Sequence, residues 1–134
     1  MAKRTRKGER RRAVRPRSTR PRRGSTVSHP RRRATPRVVV ILSAYPRRAA
    51  AERAARSLVR SRHLACATVT DGGRAFYRWH GKERAEVTAL LWGKTVAALA
   101  RATVEAIRAS HPDRVPEILV LPVAGGHVPY LAWL

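Results

Sequence analysis

The chain contains a single cysteine, Cys66, and only eight acidic residues against thirty lysines and arginines. One cysteine excludes a disulfide within the chain and a zinc site built from four cysteines. No apolar run approaches the roughly 20 residues that a membrane-spanning helix needs, so we expect no membrane partner. These absences predict a protein of the cytoplasm, where thiols stay reduced.

Catalytic arrangements are also missing from the sequence. No pair of carboxylates has a catalytic spacing, and no serine is accompanied by a histidine and an aspartate in a recognisable pattern. We therefore predict that the protein is not an enzyme.

The first 36 residues differ sharply from the rest of the chain. They hold fifteen basic residues and one acid, a net charge of 15 − 1 = +14, and they lack Leu, Ile, Phe, Tyr and Trp. Such a segment cannot bury enough apolar surface to offset about 1–2 kcal/mol of backbone entropy per residue. We predict a disordered, arginine-rich extension at 1–36 and a folded domain at 37–134. The extension makes weak nucleic-acid contacts, is a solvated tail or upstream sequence outside the native product, or has a targeting role.

Hydrophobic periodicity within the folded part predicts alternating strands and helices. An apolar, β-branched run marks the first strand, a tight-turn signal at 71–73 separates two strands, and Thr95 is a candidate cap for the second helix. The last strand, 117–123, is predicted to be buried. The predicted strands are 37–42, 64–70, 74–92 with a bend or bulge at Gly81-Lys82 that divides it into 74–80 and 83–92, and 117–123, and the predicted helices are 47–62 and the segment from Thr95 to Pro112.

The order β-α-β-β-α-β predicts an α+β, ferredoxin-like sandwich, an antiparallel sheet with helices on one face. Two helices cover only one face of such a sheet. The strand at 83–92 is apolar on both sides near Leu90, Leu91 and Trp92. A monomer would expose that surface, so the sequence predicts an oligomer.

Six short motifs follow one another in a fixed order along the folded part. They are Leu-Ala-Cys-Ala (64–67), Phe-Tyr-Arg-Trp-His-Gly-Lys (76–82), Gly-Lys-Thr (93–95), His-Pro-Asp-Arg-Val-Pro-Glu (111–117), Leu-Val-Leu-Pro-Val (119–123) and Pro-Tyr-Leu-Ala-Trp (129–133). This order resembles the CutA family of divalent-cation tolerance proteins over about the last hundred residues.

The resemblance implies a homotrimer that binds divalent metal, with Cu(II) as the first candidate and no cofactor required for folding. It points to Cys66 and His111 as metal ligands. Asp113, which replaces the tyrosine of the family motif, is either a third ligand with an oxygen donor or a solvated loop acid. Cysteine suits soft ions such as copper. Read without the resemblance, Cys66 between two alanines also fits an inert core thiol, and His111 also fits a histidine at a helix end.

A second candidate site combines aromatic and basic residues that match the family pattern: Tyr77, Trp79, Lys82 and Lys94. Together they predict a cleft that holds an anion or a metabolite carboxylate. Positions that are acidic in the family carry His80, Arg84 and Thr88 here, while Glu86 remains, so we expect a positively charged cleft. The aromatics could equally belong to a core or an interface.

Three functions remain open on the sequence alone. The first is a trimeric copper-binding protein of metal tolerance. The second is a trimeric ligand sensor or scaffold with no physiological metal, which is similar in architecture to the PII signalling proteins. The third is nucleic-acid association through the basic extension, multiplied by three copies in a trimer.

Overall fold

The computed structural model describes residues 36–134, so the predicted extension at 1–36 lies outside the described residues except for Pro36. The elements follow one another in the order predicted from the sequence, with one further short helix at the end. They are β1 (Val38–Tyr45), α1 (Arg48–Arg60), β2 (Cys66–Trp79), β3 (Lys82–Val96), α2 (Ala97–Ser110), β4 (Ile118–Pro122) and α3 (Val128–Trp133).

The four strands form one antiparallel sheet in the order β2-β3-β1-β4. The central strand β1 places Ile41 opposite Gly93 of β3 and Val120 of β4. α1 packs against β2 and β3, whereas α2 packs against β1 and β4. Both helices therefore cover the same face, which confirms the ferredoxin-like α+β fold.

The core lies between the helices and that face of the sheet. Ile41, Leu91 and Ile107 are fully buried there, and each contributes about 1.5–3 kcal/mol by leaving water. α1 turns two alanines, Ala51 and Ala55, toward the sheet, so the helix backbone can approach closely. Their burial follows from the helical spacing that the sequence shows.

β2 and β3 continue beyond the end of β1 as a two-stranded hairpin, residues 73–88, here named the arm. His80 and Gly81 form its tip with φ angles of 48° and 76°. Two successive positive φ angles are typical of the tight turn that suits the right-handed twist of paired strands. Among residues 36–134 the strands of the arm pair only with each other.

The turn predicted at 71–73 is wrong, because this segment is a bulge inside one long strand. The pairing register with β3 shifts between Asp71 and Gly73, and Gly73 has a φ of 74°. A Cβ atom on Gly72 would collide with the side chain of Thr88. The glycines therefore serve a bulge and a close approach to β3, two roles that resemble a turn signal in sequence.

Two smaller predictions also require correction. Thr95 does not cap α2: it is a buried residue of β3 opposite Val39, and no side chain caps the first turn of that helix. β4 is not buried within one chain, because Leu119 and Leu121 remain 49% and 39% exposed on an edge strand.

Neither α1 nor α2 covers the second face of the sheet, which is here named the open face. Among the described residues the short helix α3 contacts it at Cys66. Opposite residues of antiparallel strands point to the same side, so the pairing register assigns its members. The open face consists of Val40, Leu42, Ala44, Cys66, Thr68, Thr70, Leu90, Trp92, Lys94, Leu119 and Leu121. Most of them are only half-buried, as expected for a surface that a further chain could cover.

Candidate functional site

Cys66 begins β2 and lies on the open face, directly opposite Lys94 of β3. Its Sγ atom is 3.5 Å from the hydroxyl oxygen of Tyr130, which α3 brings to this end of the sheet. The hydrogen bond with the thiol raises the pKa of the Tyr130 hydroxyl. The thiol is half-buried and unpaired with another cysteine, so it offers one soft donor atom.

His111 follows α2 and has a side chain with no exposed surface. Its Nε2 atom lies 2.9 Å from the carbonyl oxygen of Ala44, and its Nδ1 atom accepts a 3.1 Å hydrogen bond from the backbone N–H of Asp113. The ring also stacks on Tyr45 with 4.3 Å between centroids. Nε2 therefore carries the ring proton and donates it in a hydrogen bond, while the lone pair of Nδ1 accepts a hydrogen bond. Neither nitrogen has a free lone pair for a metal.

Asp113 lies close to His111 but in a different environment. Its Oδ2 atom is 3.8 Å from Nδ1 of His111, and its side chain is 51% exposed. The pair joins the loop after α2 to the end of β1. In this arrangement Asp113 positions the imidazole through its backbone, and its carboxylate remains free to meet solvent or a ligand.

Cys66 and His111 do not lie in one site within a single protomer. Cys66 is level with Val40 of β1, through the pairing of both with Lys94, whereas His111 contacts Ala44. Four residues of strand span about 13 Å, and two strand spacings add about 10 Å sideways. Metal–ligand bonds of about 2–2.6 Å cannot bridge that gap.

The same conclusion holds for the other candidate metal ligands. Residues 36–134 contain no group of three or more His, Cys, Asp or Glu side chains placed to hold a metal ion. The predicted set of Cys66, His111 and Asp113 therefore does not fit a metal as one cluster inside a protomer. Each remains a predicted donor that would need partners from elsewhere.

A cleft of about 610 Å³ opens between the arm and the loop that follows α2. Tyr77 and Trp79 lie on its arm side, as the sequence predicts. Partial burial and then the neighbouring Glu86 carboxylate raise the pKa of Tyr77. The lining residues are Ala44, Tyr45, Pro46, Gly72, Ala75, Phe76, Tyr77, Trp79, Glu86, Thr88, Leu90, Asp113, Arg114, Val115 and Glu117.

The two predicted lysines lie outside this cleft. Lys82 stands at the tip of the arm, opposite Trp79. Lys94 is twelve residues further along β3, roughly 40 Å of extended strand away, and its Nζ atom donates to Thr68 on the open face. One chain therefore cannot bring both ammonium groups to the same ligand.

The charge of the cleft is opposite to the sequence expectation. Three carboxylates line it, those of Glu86, Asp113 and Glu117, against the single guanidinium of Arg114. The expected positive cleft is therefore wrong for the residues that line it. The sequence shows the acids missing from the arm, but only the fold brings two acids of the 111–117 loop to face it.

Asp113 and Glu117 belong to the motif 111–117, but nothing in its pattern predicts that they lie opposite Tyr77. The contact of His111 with Ala44 brings the loop to the end of β1, where the arm begins. A motif with two prolines directly after a helix is the one local signal of a loop folded back on the sheet.

A membrane span requires a helix of sufficient length and apolarity. No helix within residues 36–134 is long and apolar enough to cross a bilayer.

Comparison with known proteins covers almost all of the described residues. The family model described as CutA1 divalent ion tolerance protein matches residues 39–134. The divalent-cation tolerance protein CutA of Pectobacterium atrosepticum is 42% identical over 98 residues, which are 72% of this chain and 87% of that protein. The CutA of Citrobacter koseri is 36% identical over 99 residues, 74% and 86% of the two chains.

Solved structures of CutA proteins also have a fold similar to that of this chain. The CutA1 of Oryza sativa superposes with a TM-score of 0.72 at 34% identity, covering 75% of this chain and 92% of that one. The Cut A1 protein of Thermus thermophilus gives a TM-score of 0.70 at 36% identity, with coverages of 72% and 94%. The CutA of Archaeoglobus fulgidus, described as periplasmic, gives 0.69 at 25% identity, with coverages of 72% and 93%.

The matched residues run from the second residue of β1 to the end of the chain and include every motif from which the resemblance was inferred. The chain belongs to the CutA1 family of divalent ion tolerance proteins.

Proposed function

We propose that this protein binds a divalent metal, with copper as the first candidate, and contributes to divalent-cation tolerance as a homotrimer. The observation that carries the proposal is the family match, which spans residues 39–134 and therefore the whole described fold. The protein acts in this proposal by binding and not by catalysis.

The open face supports the trimer. It presents Leu119 and Leu121 of the edge strand β4, and the half-buried Trp92 of β3 lies on the same face beyond β1. An apolar sheet face without cover is typical of a surface that another chain buries. The arm adds further exposed apolar residues, with Phe76 and Val87 at 69% and 67% exposure. A neighbouring subunit would remove both surfaces from water.

The metal proposal rests first on Cys66. A thiolate is a donor that copper prefers, and the thiol lies on the face that the trimer would cover. Since one protomer brings no three donors together within residues 36–134, the remaining ligands would come from a neighbouring subunit. His111 can join such a site only if it gives up one of its hydrogen bonds, whereas the exposed carboxylate of Asp113 is already free to bind.

Calorimetric titration of Cu(II) into the full-length protein tests this function. We expect stoichiometric binding that Cys66→Ser abolishes, because the variant removes the soft donor. His127→Ala is the matched control, since His127 is an exposed loop histidine outside the predicted ligand set. Asp113→Asn tests the carboxylate while it keeps the backbone hydrogen bond to His111. Weak binding that neither Cys66→Ser nor Asp113→Asn changes would contradict the metal proposal.

The cleft favours a second candidate function, a trimeric sensor or scaffold that binds a small molecule. Tyr77, Trp79 and Phe76 offer aromatic faces, and three carboxylates surround them. This combination suits a ligand with a positively charged amine better than the anion that the sequence predicted. Isothermal binding of a simple diamine, compared between the wild type and Glu86→Gln, tests the cleft; equal heats for both proteins would contradict it.

The cytoplasmic location remains part of the proposal. It rests on the single cysteine, while one structural relative is described as periplasmic. Fractionation of cells that produce the protein decides between the two compartments.

A further inference from the structure

The solvent face of α1 carries a row of three arginines, Arg53, Arg56 and Arg60, here named the arginine row. Their spacing of three and four residues places the side chains on one side of the helix. All three are exposed. Ser57 and Ser61 lie beside them, and the five residues line a shallow depression of about 510 Å³.

No carboxylate neutralises the arginine row within the described residues. The only acid of α1, Glu52, forms an ion pair with Arg48 at 2.9 Å, and Arg48 also forms an ion pair with Asp71 at 3.2 Å. On α2, Glu105 forms an ion pair with Arg108 at 3.1 Å. None of the ion pairs found in residues 36–134 includes a member of the row. Three guanidinium groups therefore face solvent with their full charge.

The dimensions of the row match a phosphate backbone. Seven residues of α-helix separate Arg53 from Arg60, a length of about 10 Å. Phosphates follow one another at about 3.4 Å of axis per strand, so the row spans about three of them. Guanidinium groups bind phosphate oxygens through two parallel hydrogen bonds, and serine hydroxyls are common phosphate donors.

We propose that the arginine row of α1 is a docking surface for the phosphate backbone of nucleic acid, bound without reading the sequence. α1 contains no Asn or Gln to bind adenine edges and no aromatic residue to stack on bases. In this proposal the arginines bind phosphate oxygens, so the contact is electrostatic. This inference is independent of the metal and ligand functions, because it uses the opposite side of the molecule from the open face.

The position of the row relative to the start of the fold supports a long polymer as the partner. The backbone of Arg37 pairs with Ala97, and that of Ala65 pairs with Lys94, so β1 begins at the same end of the sheet at which α1 finishes. The sequence adds fifteen basic residues before this point, at 1–36. A row of three separate guanidinium groups about 10 Å long suits consecutive phosphates of a polymer better than one small anion.

An anionic membrane fits the row less well. Helices that bind membranes present Trp, Phe or Leu beside their basic residues, so that apolar side chains enter the lipid. On α1 the one exposed large apolar residue is Val59, at 40% exposure. The surface lacks the apolar half that membrane docking requires.

Fluorescence anisotropy of a labelled DNA duplex with the full-length protein, over about 50–200 mM salt, tests the proposal. The test variant is Arg53→Gln/Arg56→Gln/Arg60→Gln, in which glutamine preserves helix propensity. The matched control is Arg10→Gln/Arg11→Gln/Arg12→Gln, which removes the same charge from the N-terminal segment. Far-ultraviolet circular dichroism and sedimentation confirm that each variant keeps the fold and assembly of the wild type.

We expect the arginine-row variant to lower the slope of log K against log salt by about 2–3, since each lost phosphate contact removes about 0.9. The control should lower it by less. Arg53→Lys/Arg56→Lys/Arg60→Lys should restore most of the slope, because the charge returns. A slope equal to the wild type in the arginine-row variant, or a fall in the control as large as in that variant, would overturn the proposal. Loss of binding to phosphatidylserine vesicles with unchanged DNA binding would overturn it as well.

Discussion

At the scale of single residues, burial changes the properties of a side chain in ways that its position in the sequence does not reveal. Tyr45 ends β1 and is 2% exposed, packed beneath His111. Its hydroxyl has no hydrogen-bond partner among residues 36–134. Burial raises the pKa of this phenol. Ser43, two residues earlier on the same side, opposes that shift to a smaller extent than burial causes it, and its own hydroxyl donates to the carbonyl of Glu117.

Tyr45→Phe should therefore stabilise the protein by about 1 kcal/mol at neutral pH, because it removes a buried donor that has no partner. It should also flatten the alkaline limb of stability. The folded-state pKa of Tyr45 lies above the unfolded value of about 10, so the unfolded chain loses that proton first and wild-type stability falls as pH rises above this value.

Urea denaturation at neutral and alkaline pH measures both effects, and the stacking on His111 is kept because the ring remains. If Tyr45→Phe were less stable than the wild type at neutral pH, the hydroxyl would have to make a hydrogen bond in solution. That result would contradict the prediction.

At the scale of elements, β2 explains why one turn prediction failed while the surrounding strands were correct. Consecutive glycines at 72 and 73 predict a turn, and in isolation they would form one. In the fold, β3 supplies partners on both sides of them, so the strand continues through a bulge. The choice depends on non-local pairing, which local propensity does not contain.

Gly72→Ala should cost about 1–3 kcal/mol of unfolding free energy, because the new methyl group would overlap the side chain of Thr88 and touch Leu90. Gly125→Ala is the matched control. Nothing lies within 4 Å of a Cβ atom at that loop position, and its φ is not in the left-handed region. Chemical denaturation should show no significant loss of unfolding free energy for the control. Equal stability of both variants would contradict the prediction, because it would mean that the bulge accommodates a methyl group.

At the scale of the whole molecule, the arrangement of helices and sheet determines which apolar residues belong to the core and which belong to an interface. Leu121 and Val59 are almost equally exposed, at 39% and 40%. Leu121 lies on the open face, opposite Val40, whereas Val59 lies on α1 at the helical side. Exposure alone does not separate their roles, but the sheet topology does.

Leu121→Asp should convert the proposed trimer to monomers, since a charge in an apolar sheet interface would have to be desolvated without a partner. Val59→Asp should leave the assembly unchanged, because helix α1 presents this residue to water. Sedimentation equilibrium gives the mass in each case. A monomeric wild type, or a trimer in both variants, would contradict the assignment of the open face as the interface.

The sequence by itself determined the element order, the ferredoxin-like sandwich and the family. Those features depend on local periodicity, on turn and strand propensity, and on short motifs in a fixed order. The family pattern also named Tyr77 and Trp79 as residues of a ligand cleft; both line the described cleft, and their role in binding stays a prediction.

Only the tertiary structure decided which side chains meet. It separated Lys94 from the cleft by most of the length of β3, brought Asp113 and Glu117 opposite the arm, and committed both nitrogens of His111 to the backbone. Distances between residues far apart in sequence depend on strand pairing and helix packing. These are properties of the whole chain, so the sequence named the candidate residues and the fold decided which of them share a site.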